Sequence, residues 1–281
     1  MVADKSDQFV AAIKSKKGLE TLDNAFVQQK IDKIFNANHI LKRKFEESKT
    51  FAQFSRSKEY EELLKRIRKE LRAIYGVFQS DRKGLFAALK DPKTREEAII
   101  KLLESHKSTK ERVPHYDEIY EEICDRIKPS VVIDLGCGMN PLAYEYFIKN
   151  GVTPAIIASD ISGTDMELIA EAFTALNIPG ETLPLDLTKD YEKLKELKGD
   201  VTFLLKLLDS LEETHRHISY KIFDNITTPW IIASFPTKSL GGGKNIARAG
   251  RTWFERLLKR KELTWETFSV ENELFYVIKQ S

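Results

Sequence analysis

The sequence contains little cysteine and no apolar run long enough to span a membrane. Its two cysteines, Cys124 and Cys137, are too few for a disulfide framework and lack partners at zinc-site spacings. No apolar stretch reaches the roughly 18 consecutive residues that a membrane helix needs. Charges also interrupt the N-terminal segment MVADKSDQFVAAIKSKKG where a signal peptide has its apolar part. We therefore expect a cytoplasmic protein with no metal ion and no membrane partner.

Glycine and proline are scarce in the first part of the chain. Residues 1–105 contain three glycines and one proline, and their apolar residues recur at helical spacing. The clearest example is KEYEELLKRIRKELRAIYGVF, whose apolar stripe comprises Tyr60, Leu63, Leu64, Ile67, Leu71, Ile74, Tyr75 and Phe78. We predict an all-α domain over residues 1–105.

The net charge of +2 conceals an uneven distribution along the chain. Residues 1–110 carry 25 Lys and Arg against 16 Asp and Glu, which gives +9. Residues 111–281 carry 20 against 27, which gives −7. A basic module joined to an acidic one favours a polyanion such as RNA for the first and a cationic ligand for the second. The alternative is that the charged residues belong to ordinary solvated helix faces rich in Lys and Glu, whose charges are unevenly distributed along the chain.

The hydrophobic period changes from residue 131 onward, where predicted strands alternate with predicted helices. The strands are VVIDLG, AIIASD, ETLPLDL, DVTFLLKLL and WIIASFP, and the helices lie at about 141–149, 164–177, 209–225 and 245–261. LTWETFSV and ELFYVIK, joined by Glu271 and Asn272, predict a closing hairpin. A mostly parallel sheet that ends in an antiparallel hairpin resembles the Rossmann-like class I methyltransferases. We therefore expect an α/β domain over residues 106–281.

The segment ahead of the first strand allows two helix starts. Ser108 and Glu111 fit a capping box, but Pro114 would then fall inside the helix. We therefore predict that the helix begins at Pro114 and that Arg112 lies in the preceding loop.

Two glycines mark a candidate ligand loop in VVIDLGCGMNPLAYEYF. Gly136 and Gly138 stand where the first strand ends and the next helix begins, so the backbone can turn sharply and approach a ligand. A dinucleotide-binding fingerprint would have a third glycine where this chain has Pro141. The loop therefore fits a nucleoside with an amino-acid tail better than it fits NAD.

Three carboxylates at the predicted strands point to a cationic nucleoside cofactor. Asp160 closes its strand 24 residues after Gly136, where it can accept both ribose hydroxyls. The alternative is a helix cap, a role that Ser162 could fill. Asp186 can reach an adenine amino group, and Asp134 lies inside an apolar strand, where burial without a partner is costly. The set suits the sulfonium of S-adenosylmethionine.

The sequence lacks motifs that are typical of some methylation reactions, and these absences restrict the atoms that the protein can methylate. The Asn/Asp-Pro-Pro-aromatic tetrapeptide typical of exocyclic-amine methylation is replaced by LLKLLDSLEE after the fourth strand. Cys124 and Cys137 are assigned to a helix and to the glycine loop, which leaves no thiolate for attack on a pyrimidine ring. A ring nitrogen such as guanine N7 needs positioning and desolvation but no general base. Alternatively, Lys206 at the end of the fourth strand could act as base for 2′-O-methylation, or it could steer nucleic acid.

A basic segment follows the fifth strand. ASFPTKSLGGGKNIARAGRTWFERLLKRK holds eight basic residues from Lys238 to Lys261, against the single acid Glu255. We predict RNA contacts for the residues beside its three consecutive glycines, namely Lys238, Lys244, Arg248 and Arg251. The alternative is a flexible surface turn followed by a basic amphipathic helix.

Four segments, STKERVPHYDEIYEEI, VVIDLGCGMNPLAYEYF, LLKLLDSLE and ASFPTKSLGGG, resemble the aminoglycoside-resistance 16S rRNA methyltransferases that modify a decoding-site guanine at N7. The resemblance covers about residues 105–281. It implies that Arg112 pairs with the cofactor carboxylate, and that Lys206 and Lys238 face the target nucleotide. It also implies that Gly136 and Gly138 line the methionine, that Asp160 holds the ribose, and that Asp186 and Leu187 border the adenine. Asp134 and Ile161 complete the predicted cofactor-binding residues.

The favoured hypothesis is an S-adenosylmethionine-dependent methyltransferase acting on 16S rRNA within the 30S subunit, as a monomer, with antibiotic resistance as one biological role. Methylation at a ribose 2′-hydroxyl or at another rRNA or tRNA site is the first alternative. A non-catalytic ribosome assembly factor that binds the cofactor is the second. A small-molecule methyltransferase is least favoured because it would not need the basic helical module.

Overall fold

A computed structural model of the chain describes residues 5–16, 19, 24–75, 79–237 and 251–280. The chain divides into two compact units, Met1–Lys83 and Gly84–Ser281. Over the described ranges, no helix combines the length and the apolar character needed to cross a membrane.

The first unit is helical, as predicted. Its elements are α1 (Lys5–Lys14), α2 (Asn24–Ala37), α3 (His39–Glu47), α4 (Phe51–Phe54) and α5 (Lys58–Tyr75), with α6 (Gln79–Ala88) following. The Phe9 ring lies among other aromatic rings, 5.9 Å from Phe54 and 5.8 Å from Tyr60 between centroids. On α5 the predicted stripe faces this core, because Leu63, Ile67 and Leu71 are each buried. The helical period of the sequence therefore reports the packed face of α5.

Residues 84–105 pack with the second unit. Phe86, Leu89, Leu102 and Leu103 belong to the same buried cluster as Val132 of the first strand. The sequence placed the boundary at 105/106, where helical spacing gives way to strand patterns. Periodicity identifies a helix but not the core that the helix joins, which is why the compact units divide earlier in the chain. The assignment of separate docking and catalytic roles to the two parts stays a prediction.

The second unit contains one seven-stranded sheet in the order β3-β2-β1-β4-β5-β7-β6. The strands are β1 (Val131–Leu135), β2 (Ala155–Asp160), β3 (Gly180–Pro184), β4 (Val201–Leu205), β5 (Trp230–Pro236), β6 (Thr264–Val270) and β7 (Glu273–Lys279). The first five strands are parallel, and β7 is antiparallel to both β5 and β6. The predicted class I arrangement is therefore confirmed. The strand order reverses between β1 and β4, and ligands of such sheets bind beyond the carboxyl ends of the strands at that point.

Helices cover both faces of the sheet. On one face are α7 (Arg95–Glu104), α9 (Tyr116–Arg126), α10 (Glu145–Lys149) and α11 (Gly163–Leu176), and α8 (Lys107–Arg112) joins α7 to the segment before α9. On the other face are α12 (Leu208–Thr214), α13 (Ile218–Phe223) and α14 (Thr252–Arg260). Neighbouring residues of β1 enter opposite cores, because Val132 packs in one cluster and Ile133 in the other. Burial on both faces explains why the parallel strands are apolar without strict alternation.

Two helix predictions were wrong in detail. The helix predicted over 209–225 is broken between α12 and α13 at His217, whose φ is +66°. The helix predicted to begin at Pro114 instead begins at Tyr116, after a 3₁₀ turn over Val113–His115. Arg112 consequently ends α8 and does not lie in a loop. Pro114 is tolerated because it occupies the first turn of the 3₁₀ segment, where its missing N–H is not needed.

Candidate active site

The glycine loop connects the carboxyl end of β1 to a 3₁₀ turn over Asn140–Ala143. Gly136 has a φ of +64° and Gly138 a φ of +52°, a region that residues with a side chain rarely adopt. A Cβ atom at Gly136 would lie 2.6 Å from Leu207 Cδ1, and one at Gly138 would lie 3.2 Å from His106 Cε1. The positive φ values therefore favour glycine at both positions, and a side chain at either one would require Leu207 or His106 to move.

Asp160, the last residue of β2, is tied to this loop. Its Oδ2 accepts a hydrogen bond from the Gly138 N–H at 3.1 Å, and its Oδ1 accepts one from the Ser162 N–H at 3.3 Å. The cap of α11 is Ser162, whose Oγ accepts from the Asp165 N–H. The carboxylate therefore lies beside the ligand loop and is not the helix cap. Next to it, Ile161 has 47% of its surface exposed, which provides an apolar patch against which a flat ring can pack.

Asp134 is buried within β1 and is held by a polar chain. Asn140 Nδ2 donates to Asp134 Oδ2 at 2.8 Å, and the Tyr116 hydroxyl donates to Asn140 Oδ1 at 3.1 Å. Burial raises the pKa of the Asp134 carboxyl to about 7, although the Asn140 hydrogen bond and the Arg112 charge oppose the increase. A buried carboxyl that titrates near neutral pH can respond to a cationic ligand nearby.

Asp186 lies beyond the end of β3 and makes strong local contacts. Its Oδ1 accepts from the Thr188 hydroxyl at 2.6 Å, and its Oδ2 pairs with Lys189 Nζ at 2.7 Å. Burial would raise its pKa, but hydrogen bonds from Lys189 and Thr188 outweigh burial and lower it. Asp186 thus stabilises its own turn, while Leu187 is buried among apolar neighbours. Their adenine contacts stay predictions.

Arg112 and Lys206 share one buried partner, Glu273, which no sequence pattern singled out. Glu273 Oε1 accepts from Arg112 Nε at 3.0 Å and from Arg112 Nη2 at 2.8 Å. Lys206 Nζ lies 2.9 Å from Glu273 Oε2 and 2.8 Å from Glu111 Oε2. Burial opposes ionisation of Glu273, but the charges of Arg112 and Lys206 prevail and lower its pKa. The available signal was an acidic residue opening an otherwise apolar last strand.

The predicted RNA-binding residues are only partly described by the structure. Lys238, Lys244 and Arg248 lie outside the described residues. Arg251 Nη2 donates to the Pro236 carbonyl at 3.0 Å and pairs with Asp209 Oδ2 at 2.7 Å. Arg251 thus attaches the start of α14 to the end of β5, and its RNA contact stays a prediction.

The described residues do not form a metal-binding group of three or more His, Cys, Asp or Glu side chains. Cys124 and Cys137 are both buried and unpaired, and burial raises the pKa of the Cys124 thiol to about 11. The raised pKa disfavours the thiolate that a covalent mechanism requires.

The geometry suits a nucleoside ligand with an amino-acid tail. The Asp160 carboxylate, bonded to the Gly138 N–H, is of the kind that can accept from paired hydroxyls, and the exposed Ile161 side chain offers apolar surface. The glycine loop allows close backbone approach, and a helix N-terminus or cationic side chain nearby can bind a carboxylate. These groups lie at the carboxyl ends of β1 and β2, next to the reversal of strand order.

Comparison with known proteins identifies similar sequences over most of the chain. The family model described as "Ribosomal RNA methyltransferase (FmrO)" matches residues 44–277. The 16S rRNA (guanine(1405)-N(7))-methyltransferase of Micromonospora rosea is 34% identical over 227 residues, covering 76% of this chain and 81% of that protein. Its counterpart in Serratia marcescens is 29% identical over 195 residues, covering 65% of this chain and 70% of that protein.

Solved structures show the same fold. The 16S rRNA methyltransferase RmtF, in complex with S-adenosyl-L-homocysteine, has a TM-score of 0.71 and 23% identity, with 100% of both chains covered. The 16S rRNA methylase ArmA has a TM-score of 0.55 and 27% identity, covering 70% of this chain and 98% of that chain.

Proposed function

Because the chain belongs to the FmrO family of ribosomal RNA methyltransferases, we propose that it methylates N7 of a guanine in the decoding region of 16S rRNA, using S-adenosylmethionine. The similarity to relatives named for guanine N7 methylation supports the substrate. The observation that supports the cofactor site is the 3.1 Å hydrogen bond from the Gly138 N–H to Asp160, because a carboxylate beside a glycine loop suits a ribose.

When bound, S-adenosylmethionine supplies a methyl group on a positively charged sulfur. Asp160 would accept hydrogen bonds from the ribose hydroxyls, and Ile161 would pack against the nucleoside. Gly136 and Gly138 would admit the methionine part close to the backbone, and Arg112 would bind its carboxylate through charge-assisted hydrogen bonds. Asp134 is buried and bonded to Asn140 after the loop, and a cationic ligand nearby would favour its ionised form, which burial disfavours.

The N7 reaction requires orientation and exclusion of water. Guanine N7 carries a free lone pair at neutral pH, so the protein does not have to remove a proton before attack. Lys206 Nζ is held between two carboxylates at the carboxyl end of β4. This placement supports an orienting role towards the target nucleotide. A role as base in 2′-O-methylation would require Lys206 to leave both ion pairs.

The substrate that we propose is rRNA within the 30S subunit. The first unit presents exposed basic side chains on α5, including Lys65, Arg66 and Lys69, on the face opposite its buried stripe. Such a surface binds phosphates with little base specificity, so it positions the RNA while the second unit selects the atom to be methylated. Lys238, Lys244, Arg248 and Arg251 would add contacts beside the target.

Incubation with tritiated S-adenosylmethionine and 30S subunits, 50S subunits or bulk tRNA tests this function. We expect label on the 30S subunit alone, at a decoding-region guanine that is cleaved after borohydride and aniline treatment, because N7 methylation labilises the ring. Label without aniline cleavage, assigned to ribose by nucleoside mass spectrometry, would favour 2′-O-methylation. Cofactor binding with no label on any RNA would overturn the proposed reaction and favour the assembly-factor hypothesis.

A further inference from the structure

The last strand brings a carboxylate to the catalytic edge of the sheet. Glu273 is the first residue of β7, and antiparallel pairing sets it opposite Pro236, the last residue of β5. The amino end of β7 therefore lies with the carboxyl ends of the parallel strands. The closing hairpin, in addition to covering the sheet edge, contributes a charged residue next to the site.

Glu273 is 4% exposed, and polar contacts from three side chains compensate its burial. Arg112 donates through Nε and Nη2, Lys206 Nζ forms an ion pair, and the Ser234 hydroxyl donates as well. Buried ion pairs contribute little net stability, because removing two charges from water costs about as much as their attraction returns. What such a network does provide is fixed geometry for its members.

The conformation of Lys206 is part of this network. Its φ is +54°, a left-handed value that is unfavourable for a lysine and that persists only where the surroundings impose it. The Lys206 N–H donates to Ser234 Oγ at 3.0 Å and to the Ser234 carbonyl at 3.1 Å. Since the same Ser234 hydroxyl donates to Glu273, the carboxylate acts on both the backbone and the ammonium group of Lys206.

Arg112 is held from one side by the same carboxylate. Glu273 binds the edge of the guanidinium formed by Nε and Nη2, which leaves the Nη1 edge outside this pairing. The charge of Asp134, beneath the glycine loop, also acts on Arg112. Arg112 is therefore oriented between the last strand and the ligand loop.

We propose that Glu273 is a positioning residue that sets both Arg112 and Lys206, and so couples cofactor binding to placement of the target nucleotide. The part concerning the target nucleotide rests on the proposed function, whereas the part concerning Arg112 concerns cofactor affinity alone.

The test uses the full chain with substitutions at Glu273 and Lys206. Glu273→Asp keeps the charge but withdraws the carboxylate by about 1.5 Å, one carbon–carbon bond. Glu273→Gln removes the charge and keeps the size. The matched control is Glu266→Gln on β6, which removes the same charge from a side chain that is 75% exposed and pairs with Arg126 at 3.3 Å.

Three quantities are measured for each variant: the unfolding temperature, the S-adenosylmethionine affinity by calorimetry, and the single-turnover rate on 30S subunits at saturating cofactor. We expect Glu273→Asp to remain folded, to bind the cofactor about tenfold more weakly, and to react roughly 100-fold more slowly. The Glu266→Gln control keeps all three values. A folded Glu273→Asp protein with wild-type affinity and rate would overturn the proposal.

A double-mutant cycle separates positioning from a purely structural role. If Glu273 acts through Lys206, the rate reductions of Glu273→Gln and Lys206→Met are strongly non-additive. If the rate reduction of the double mutant equals the product of the two single reductions, Glu273 does not act through Lys206. Should Glu273→Gln fail to fold, the cycle is run with Glu273→Asp.

The two proposals fail in distinguishable ways. If the wild-type protein labels no RNA, the proposed function fails, and Glu273 is judged by cofactor affinity alone. The tenfold weaker binding of folded Glu273→Asp then still supports orientation of Arg112, and unchanged binding refutes it. If wild type labels 30S subunits and Glu273→Asp does so equally fast, only the positioning role is refuted.

Discussion

Asp160 Oδ2 and the Gly138 N–H form a 3.1 Å hydrogen bond that connects the end of β2 to the glycine loop after β1. One carboxylate therefore fixes the loop, and in the proposed function the same carboxylate holds the ribose. Both functions depend on the same charged group.

Asp160→Asn should weaken S-adenosylmethionine binding by roughly 10- to 100-fold, because a charge-assisted acceptor is replaced by a neutral amide. Calorimetry with purified protein measures the dissociation constant. Asp117→Asn is the control, since the Asp117 side chain is 76% exposed on α9. Equal affinity for the wild type and Asp160→Asn would show that this carboxylate does not hold the ribose.

Gly136→Ala and Gly151→Ala should differ in their effect on cofactor binding. The glycines have φ values of +64° and +71°, so each alanine costs roughly 1–2 kcal/mol of unfolding free energy from strain. At Gly136 the new Cβ also meets Leu207 Cδ1 at 2.6 Å, whereas at Gly151 nothing lies within 4 Å. We expect only Gly136→Ala to reduce cofactor affinity. Chemical denaturation and calorimetry measure the two effects, and similar affinities for the two variants would contradict the loop assignment.

Asp134→Asn should change how stability depends on pH. Burial raises the pKa of Asp134 from its ordinary value of 3.8 to about 7, so between these values the folded protein holds a proton that the unfolded chain releases. This group therefore stabilises the fold at low pH and its contribution disappears as pH rises towards 7. The unfolding temperature of Asp134→Asn minus that of wild type should increase from pH 4 to pH 7 and then level off. A difference that is constant or decreasing would exclude the raised pKa.

Paired substitution of Lys65→Glu and Lys69→Glu should weaken 30S binding without changing cofactor affinity. Both lysines are exposed on α5, and removing a lysine that binds a phosphate reduces both the affinity and its dependence on salt. Lys128→Glu with Lys198→Glu is the matched control, because both are exposed near the amino ends of the parallel strands. Filter binding at several salt concentrations measures the effect. If both pairs weaken binding equally, the general charge of the protein matters and not the surface of α5.

Local sequence patterns predicted much of the fold but not the interior ion pairs. AIIASD and WIIASFP match β2 and β5 residue for residue, because each is an apolar run bounded by a clear turn or by polar residues. The glycine loop was identifiable because its chemistry is contained in three consecutive residues. Arg112 was placed in the wrong element because one proline dominated the local interpretation.

The role of Glu273 could not be predicted in the same way. Its partner Arg112 is 161 residues away, and hydrophobic periodicity carries no information on contacts between charges at that separation. The sequence correctly predicted that ELFYVIK is a strand. Which residue of that strand meets the site depends on the pairing of β7 with β5, which the pattern of one strand does not determine.

Glu273 opens the last strand of the sheet, so translation adds it after every other residue of its ion-pair network. The glycine loop and all five parallel strands are synthesised before Glu273. A nascent chain that has reached the end of β5 thus contains the glycine loop, while Arg112 and Lys206 still lack their shared counter-ion. Premature termination within the hairpin would release a chain with a nearly complete sheet and two cations beside its ligand loop that no common carboxylate joins.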